Sequence, residues 1–130
     1  MRLHECTVRA PRSDKKGKLN IVSEIWITDA LSFTEAEANA MKVTGATDVT
    51  AIRRTSYSEL IMPDNADEKE RWYKAKVNFI NENEKKTPYL YLVRADSVDD
   101  AHQRVEEFLR DTVVDTEIDS IDATKIVGII

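Results

Sequence analysis

The sequence predicts an α+β fold of internally duplicated strand-strand-helix-strand units, with six mainly antiparallel strands and two helices on one face. Three observations predict it. The two halves of the chain align in their apolar positions, each half contains alternating strand-like runs, and each contains one helix-capping signal. Residues 25–43 align with residues 90–108 at an offset of 65: Ile25-Trp26-Ile27 meets Leu90-Tyr91-Leu92, Ser32 meets Ser97, Ala36 meets Ala101 and Val43 meets Phe108. The flanks align at an offset of 69, where Cys6 and Val8 meet Ala75 and Val77, and Ile52 and Thr55 meet Ile121 and Thr124. Identities are few; the order of apolar positions and caps carries the match.

The first strand of each half spans Leu3–Ala10 and Trp72–Ile80. Cys6, Val8 and Ala10 alternate onto one face, as do Ala75, Val77 and Phe79. Polar connections follow over residues 11–18 and 81–86, and short polar connections between alternating runs favour antiparallel hairpins. The second strands are Leu19–Thr28 and Pro88–Arg94. Ser32-Phe33-Thr34-Glu35 and Ser97-Val98-Asp99-Asp100 then start the helices. The Ser hydroxyl can accept a first-turn amide, and the acidic residue suits the positive end of the helix dipole. Phe33, Ala36, Ala40 and Val43 form one apolar stripe; Val98, Ala101, Val105 and Phe108 form the other. The first helix ends near Gly45 and the second near Asp111. Third strands over Asp48–Met62 and Glu117–Ile130 complete the units, and residues 63–71 link the halves.

Length and composition bound the organisation. The 130 residues suit a single domain, with pseudo-repeats at 1–65 and 66–130. One Cys excludes an internal disulfide and a thiolate zinc site, and three Gly are too few for a glycine-rich phosphate loop. No cofactor and no metal are expected. The N-terminus lacks an apolar signal core, and no apolar stretch approaches the ~20 residues of a membrane helix. The expected setting is cytoplasmic, with no membrane partner.

Charge is unevenly divided. Residues 1–65 carry 9 basic and 9 acidic residues, while residues 66–130 carry 10 and 15, the whole net charge of −5.

If Ile25, Ile27, Leu90 and Leu92 face the helices, Trp26 and Tyr91 point to the other sheet face. Arg9, Lys74 and Lys76 join them there if Cys6, Val8, Ala75 and Val77 face the core, and Arg53 or Arg54 joins them depending on register, with Arg53 taken as the fourth cation. Aromatic rings can stack on bases and cations can follow phosphates, so this set suits single-stranded nucleic acid or nucleotides. The same aromatics equally suit a protein interface, and an unremarkable sheet surface would look alike. The apolar end Ile126-Val127-Gly128-Ile129-Ile130 is a second candidate for pairing with another chain or a second copy.

Catalysis has little support. His4 and His102 lack metal-ligand spacing, and Cys6 alternates with Val8 as a buried thiol would. The carboxylates Asp111, Asp115, Glu117, Asp119 and Asp122 do not match a calcium-loop spacing, and read as a solvated strand face.

Several runs, including Asp29–Ala38, Val49–Arg54, Trp72–Ile80 and Lys85-Lys86-Thr87-Pro88, resemble a family of small domain-of-unknown-function proteins of Bacteroides-type gut bacteria and their phages. The resemblance covers nearly the whole chain. It implies a prokaryotic or phage setting and carries no activity, substrate or site residue. Together these readings point to a non-enzymatic binding protein. Nucleic acid or nucleotide on the aromatic-basic face is the first expectation. A protein-interaction or self-assembly module, including a phage counter-defence or structural accessory protein, is the alternative.

Overall fold

A computed structural model describes residues 2–63, 67 and 69–130. Among these residues the chain forms β1 (Leu3–Ser13), β2 (Leu19–Asp29), α1 (Phe33–Thr44), β3 (Asp48–Arg54), β4 (Tyr57–Ile61), β5 (Arg71–Ile80), β6 (Lys86–Ala95), α2 (Val98–Leu109), β7 (Asp115–Ala123) and β8 (Ile126–Ile129). The α+β class is as expected, but there are eight strands in two four-stranded sheets rather than six. Part of the expected linker, residues 64–66 and 68, lies outside the described residues.

The difference comes from two threonines. Each long third strand of the expectation breaks in two, at Thr55-Ser56 and at Thr124-Lys125. Thr55 donates both its backbone N–H and its Oγ1 hydroxyl to the Leu3 carbonyl, at 2.9 Å each. Thr124 does the same to the Trp72 carbonyl, at 3.1 and 2.7 Å. Each threonine thus closes the ladder at the start of the first strand. Beyond it, the chain joins the other sheet: β4 pairs parallel with β6, and β8 pairs parallel with β2. The sheet orders are β3-β1-β2-β8 and β4-β6-β5-β7, and the remaining pairings are antiparallel.

This exchange redraws the boundaries expected at 65/66. One compact unit (unit 1) holds the chain up to Ser56 together with Lys125–Ile130, and the other (unit 2) holds Tyr57–Thr124. Each unit is a four-stranded sheet with one helix packed on it.

The capping signals fold as written. Ser32 Oγ accepts the Glu35 amide and Ser97 Oγ accepts the Asp100 amide, both at 3.1 Å. Glu35 and Asp100 reach back to the amides of Leu31 and Asp96, at 3.0 Å each. Gly45 ends α1 in the left-handed region, with φ 69°. The buried helix stripes differ from those expected. They are Ala36, Ala40, Thr44 and Ala101, Val105, Leu109, whereas Phe33, Val43, Val98 and Phe108 are about half exposed. These rows run i, i+4, i+8, a natural packing ridge. Its small members let the helix axis approach the sheet, which turns the larger side chains onto the flanks.

Unit 1 builds its helix-side core from small residues, Cys6, Val8, Ala10, Ala30, Ala36 and Ala40, with Trp26 packed against them. Unit 2 uses larger ones, including Tyr73, Val77, Tyr91, Val93, Val105 and Leu109.

Candidate interaction surfaces

Cross-strand partners share a sheet face, so register settles which side chains lie under the helices. Trp26 lies opposite Cys6, and Tyr91 lies opposite Ala75. Both aromatics therefore lie on the helix side, within or against the cores, not on the helix-free face where alternation had put them. The physical reason is volume: Cys6 and Ala75, facing small helix residues, leave room for a large ring beside them. The residues expected beneath the helices, Ile27 and Leu92, occupy the other face and are fully buried there. Trp72 is buried on that face too, with the Arg94 guanidinium 6.0 Å from its ring centre.

The four cations do lie on helix-free faces, two in each unit, but they are not assembled into one site with the aromatics. Arg53 is ion-paired with Glu5 at 3.1 Å, and Lys76 with Asp119 at 3.5 Å. Arg9 and Lys74 are exposed. The C-terminal strand, a second candidate for pairing with another chain, pairs with β2 through one of its edges.

The potential catalytic groups are separately engaged. Cys6 is fully buried with Sγ 3.9 Å from the Ala36 carbonyl, and burial, with Glu5 second, pushes its thiol pKa up. His4 Nδ1 lies 3.1 Å from the Arg2 carbonyl, and its ring meets Phe33 edge-on. His102 pairs with Glu106 on the exposed side of α2. In the acidic run, Glu117 is paired with Lys86 and Asp119 with Lys76. Among the described residues no group of three or more His, Cys, Asp or Glu side chains could hold a metal.

The informative surfaces lie at one end of each unit, where the first strand stops, the second and third strands begin and the helix ends. In unit 1 this end is closed by polar bonds. Arg12 donates to both Glu24 carboxylate oxygens, at 2.9 and 3.2 Å, and to the Thr44 carbonyl at 2.8 Å. Trp26 Nε1 donates to the same Glu24 at 3.1 Å. A guanidinium on a last-turn carbonyl also suits the negative end of the α1 dipole.

In unit 2 the equivalent end is open and apolar. Tyr89 stands where Glu24 stands in unit 1, Phe79 replaces Ala10 and Phe108 replaces Val43. Phe79 and Tyr89 meet edge-on with ring centres 4.9 Å apart, and Tyr91 and Phe108 at 5.7 Å. Tyr89 is 40% exposed and Phe108 46%. Burial first, then Glu59 and Tyr89, raises the Tyr91 hydroxyl pKa. Beside them, the β5–β6 turn and the α2–β7 loop line a cleft of about 330 Å³ with Ile80, Asn81, Glu82, Val113, Val114 and Asp115. Val113 is fully exposed.

Unit 1 has a projecting element at its own end. β3 pairs β1 only over His4–Arg9, and β8 pairs β2 only over Ile25–Ile27. Beyond these limits β1 and β2 pair only with each other, in register from Ala10↔Val22 to Ser13↔Leu19. This arm carries Lys15, Lys16 and Lys18 at its tip and exposes Leu19, Ile21 and Val22. In unit 2, β7 flanks the matching hairpin to its last pair, Ile80↔Lys86.

The strand exchange also sharpens the charge division. Unit 1 holds 10 basic and 7 acidic residues, net +3; unit 2 holds 9 and 17, net −8. Sequence reasoning missed Val113, Val114, Leu19 and Ile21. The available signal was a pair of valines in an acidic run, and a Leu-x-Ile directly after a lysine-rich turn.

No helix among the described residues is long and apolar enough to cross a membrane. No curated protein and no solved structure matches the chain. The model of a family described as a domain of unknown function (DUF4494) matches residues 2–130, and the chain belongs to that family.

Proposed function

We propose that the chain is a non-enzymatic protein-interaction module, with the open end of unit 2 as its receptor surface. One observation carries this reading. Tyr89, Phe108, Val113 and Val114 are exposed at an end whose counterpart in unit 1 is sealed by Arg12 and Glu24. Exposed apolar groups rimmed by charge mark contact surfaces. The rim here is acidic: Glu82 and Asp115 line the cleft, and unit 2 as a whole carries a net charge of −8. The partner that complements it is a basic protein segment with apolar side chains. A phosphate backbone would meet repulsion at this end.

A second reading keeps nucleic acid but moves it to unit 1. The net +3 of that unit, with Arg9, Lys15, Lys16 and Lys18 exposed, favours a polyanion at the arm. The bacterial or phage setting implied by the sequence resemblance belongs to this proposal as well.

Methyl NMR titration separates the readings. A lysine-leucine peptide should shift the Ile80, Val113 and Val114 methyls, and a single-stranded oligonucleotide should not. Peptide addition without shifts at these three residues overturns the receptor reading. Salt-sensitive shifts of Leu19 and Ile21 with oligonucleotide support the second reading.

A further inference from the structure

We infer that the occupant of the open end of unit 2 is the β1–β2 arm of a second copy of this chain. The inference rests on the receptor reading above and names its partner. The arm supplies the chemistry that the receptor lacks. Its tip lysines, Lys15, Lys16 and Lys18, are opposite in sign to the Glu82 and Asp115 rim of the cleft. Leu19 and Ile21 are 66% and 58% exposed, and register places them on one face of the ribbon with Pro11 and Ser13 opposite. They match the apolar wall of Ile80, Val113 and Val114.

The lysines alone would have a simpler role, since charges on unflanked strands guard against edge pairing. That role does not account for two large aliphatic side chains held in water on the same element. The loop geometry fixes the arm as a built feature. Asp14 Oδ1 accepts the Lys16 and Lys18 amides at 2.9 and 2.8 Å, so the turn is closed by the residue that opens it. Gly17 supplies its left-handed residue, with φ 78°. The whole-unit charges, +3 and −8, give the same complementarity at longer range.

Each copy has one arm and one receptor, and the two surfaces differ. Two copies can therefore exchange arms reciprocally in a closed dimer, or copies can join head to tail into a ring or an open chain. Its charged part weakens with salt, because the Debye length falls from about 10 Å at 0.1 M to about 3 Å at 1 M.

Sedimentation velocity of the full chain over a concentration series tests this. Two variants are used, Ile21→Glu in the arm and Val113→Lys in the receptor; both sites are exposed, and circular dichroism checks that each variant is folded. The wild type should gain mass with concentration at low salt and lose it at high salt. Either variant alone should stay monomeric. Their mixture should form a species of two chains, because one intact arm and one intact receptor remain. A wild type that stays monomeric to millimolar concentration overturns the inference, as does Ile21→Glu self-associating like the wild type. If that monomer still shows the peptide-induced shifts at Val113 and Val114, the receptor reading stands and only its occupant is wrong. If the shifts are absent as well, both fall.

Discussion

Among the described residues, Glu84 is the one whose conformation is least suited to its side chain. It adopts φ 60° in the β5–β6 turn, where the matching turn of unit 1 has Gly17 at φ 78°. The two turns share their bonding. Asp14 and Asn81 each accept two amides through Oδ1, and the amides of Gly17 and Glu84 donate back to the Asp14 and Asn81 carbonyls. A left-handed backbone costs an L-residue about 1–2 kcal/mol, offset in part by the greater chain entropy of glycine. Glu84→Gly should therefore raise the unfolding free energy by about 0.5–1 kcal/mol in urea denaturation. An unchanged or lower stability would contradict this account of the turn. Residue identity was legible where chemistry was local: Ser32, Ser97 and Gly45 all act as their sequence context implies. It was not legible for Trp26 and Tyr91. Two alternating patterns, Cys6/Val8 and Ile25/Ile27, are each apolar, and only cross-strand register decides which one lies under a helix.

At the scale of elements, β8 is the shortest strand among the described residues. It pairs with β2 over three positions, and the Ile130 amide donates to the Ile27 carbonyl at 2.7 Å. Gly128 sits on the face of Trp26, where an added Cβ would lie 2.8 Å from the indole Cζ3. The ring cannot easily yield, because Nε1 is bonded to Glu24 and its edge packs against the unit 1 core. Gly128→Ala should then cost about 1–3 kcal/mol, as overpacking does. The cost should shrink when Trp26→Leu is made as well. A neutral Gly128→Ala would show that β8 is not held against Trp26. The same element explains part of what the sequence concealed. Asp48–Met62 and Glu117–Ile130 read as continuous strands because Thr55 and Thr124 are good strand residues. Their role as ladder-closing donors depends on carbonyls 52 residues away in the chain. The arm was hidden for a related reason: nothing local says that β3 and β8 stop short of it.

At the scale of the whole molecule, the two halves share an order of elements and differ in what they expose. Each ends by sending its last strand into the other half's sheet, so neither unit is complete within residues 1–65 or 66–130. The α+β class, the repeated order and the caps were legible because they rest on periodicity and short-range signals. The exchange and the two contact surfaces were not, because they depend on long-range pairing. The exchange turns a neutral and an acidic half into a basic and an acidic unit, and the proposed contact uses that difference: the basic arm of one copy meets the acidic, apolar end of another. Intermolecular paramagnetic relaxation detects that contact. One chain carries a spin label at Asn20→Cys, on the arm but outside the proposed contact residues, with Cys6 buried, and is mixed with a methyl-labelled, spin-free chain. The Ile80, Val113 and Val114 methyls of the second chain should broaden, an effect relieved by salt and abolished by Ile21→Glu in the first. Methyls that stay sharp at concentrations where the protein has gained mass would contradict it.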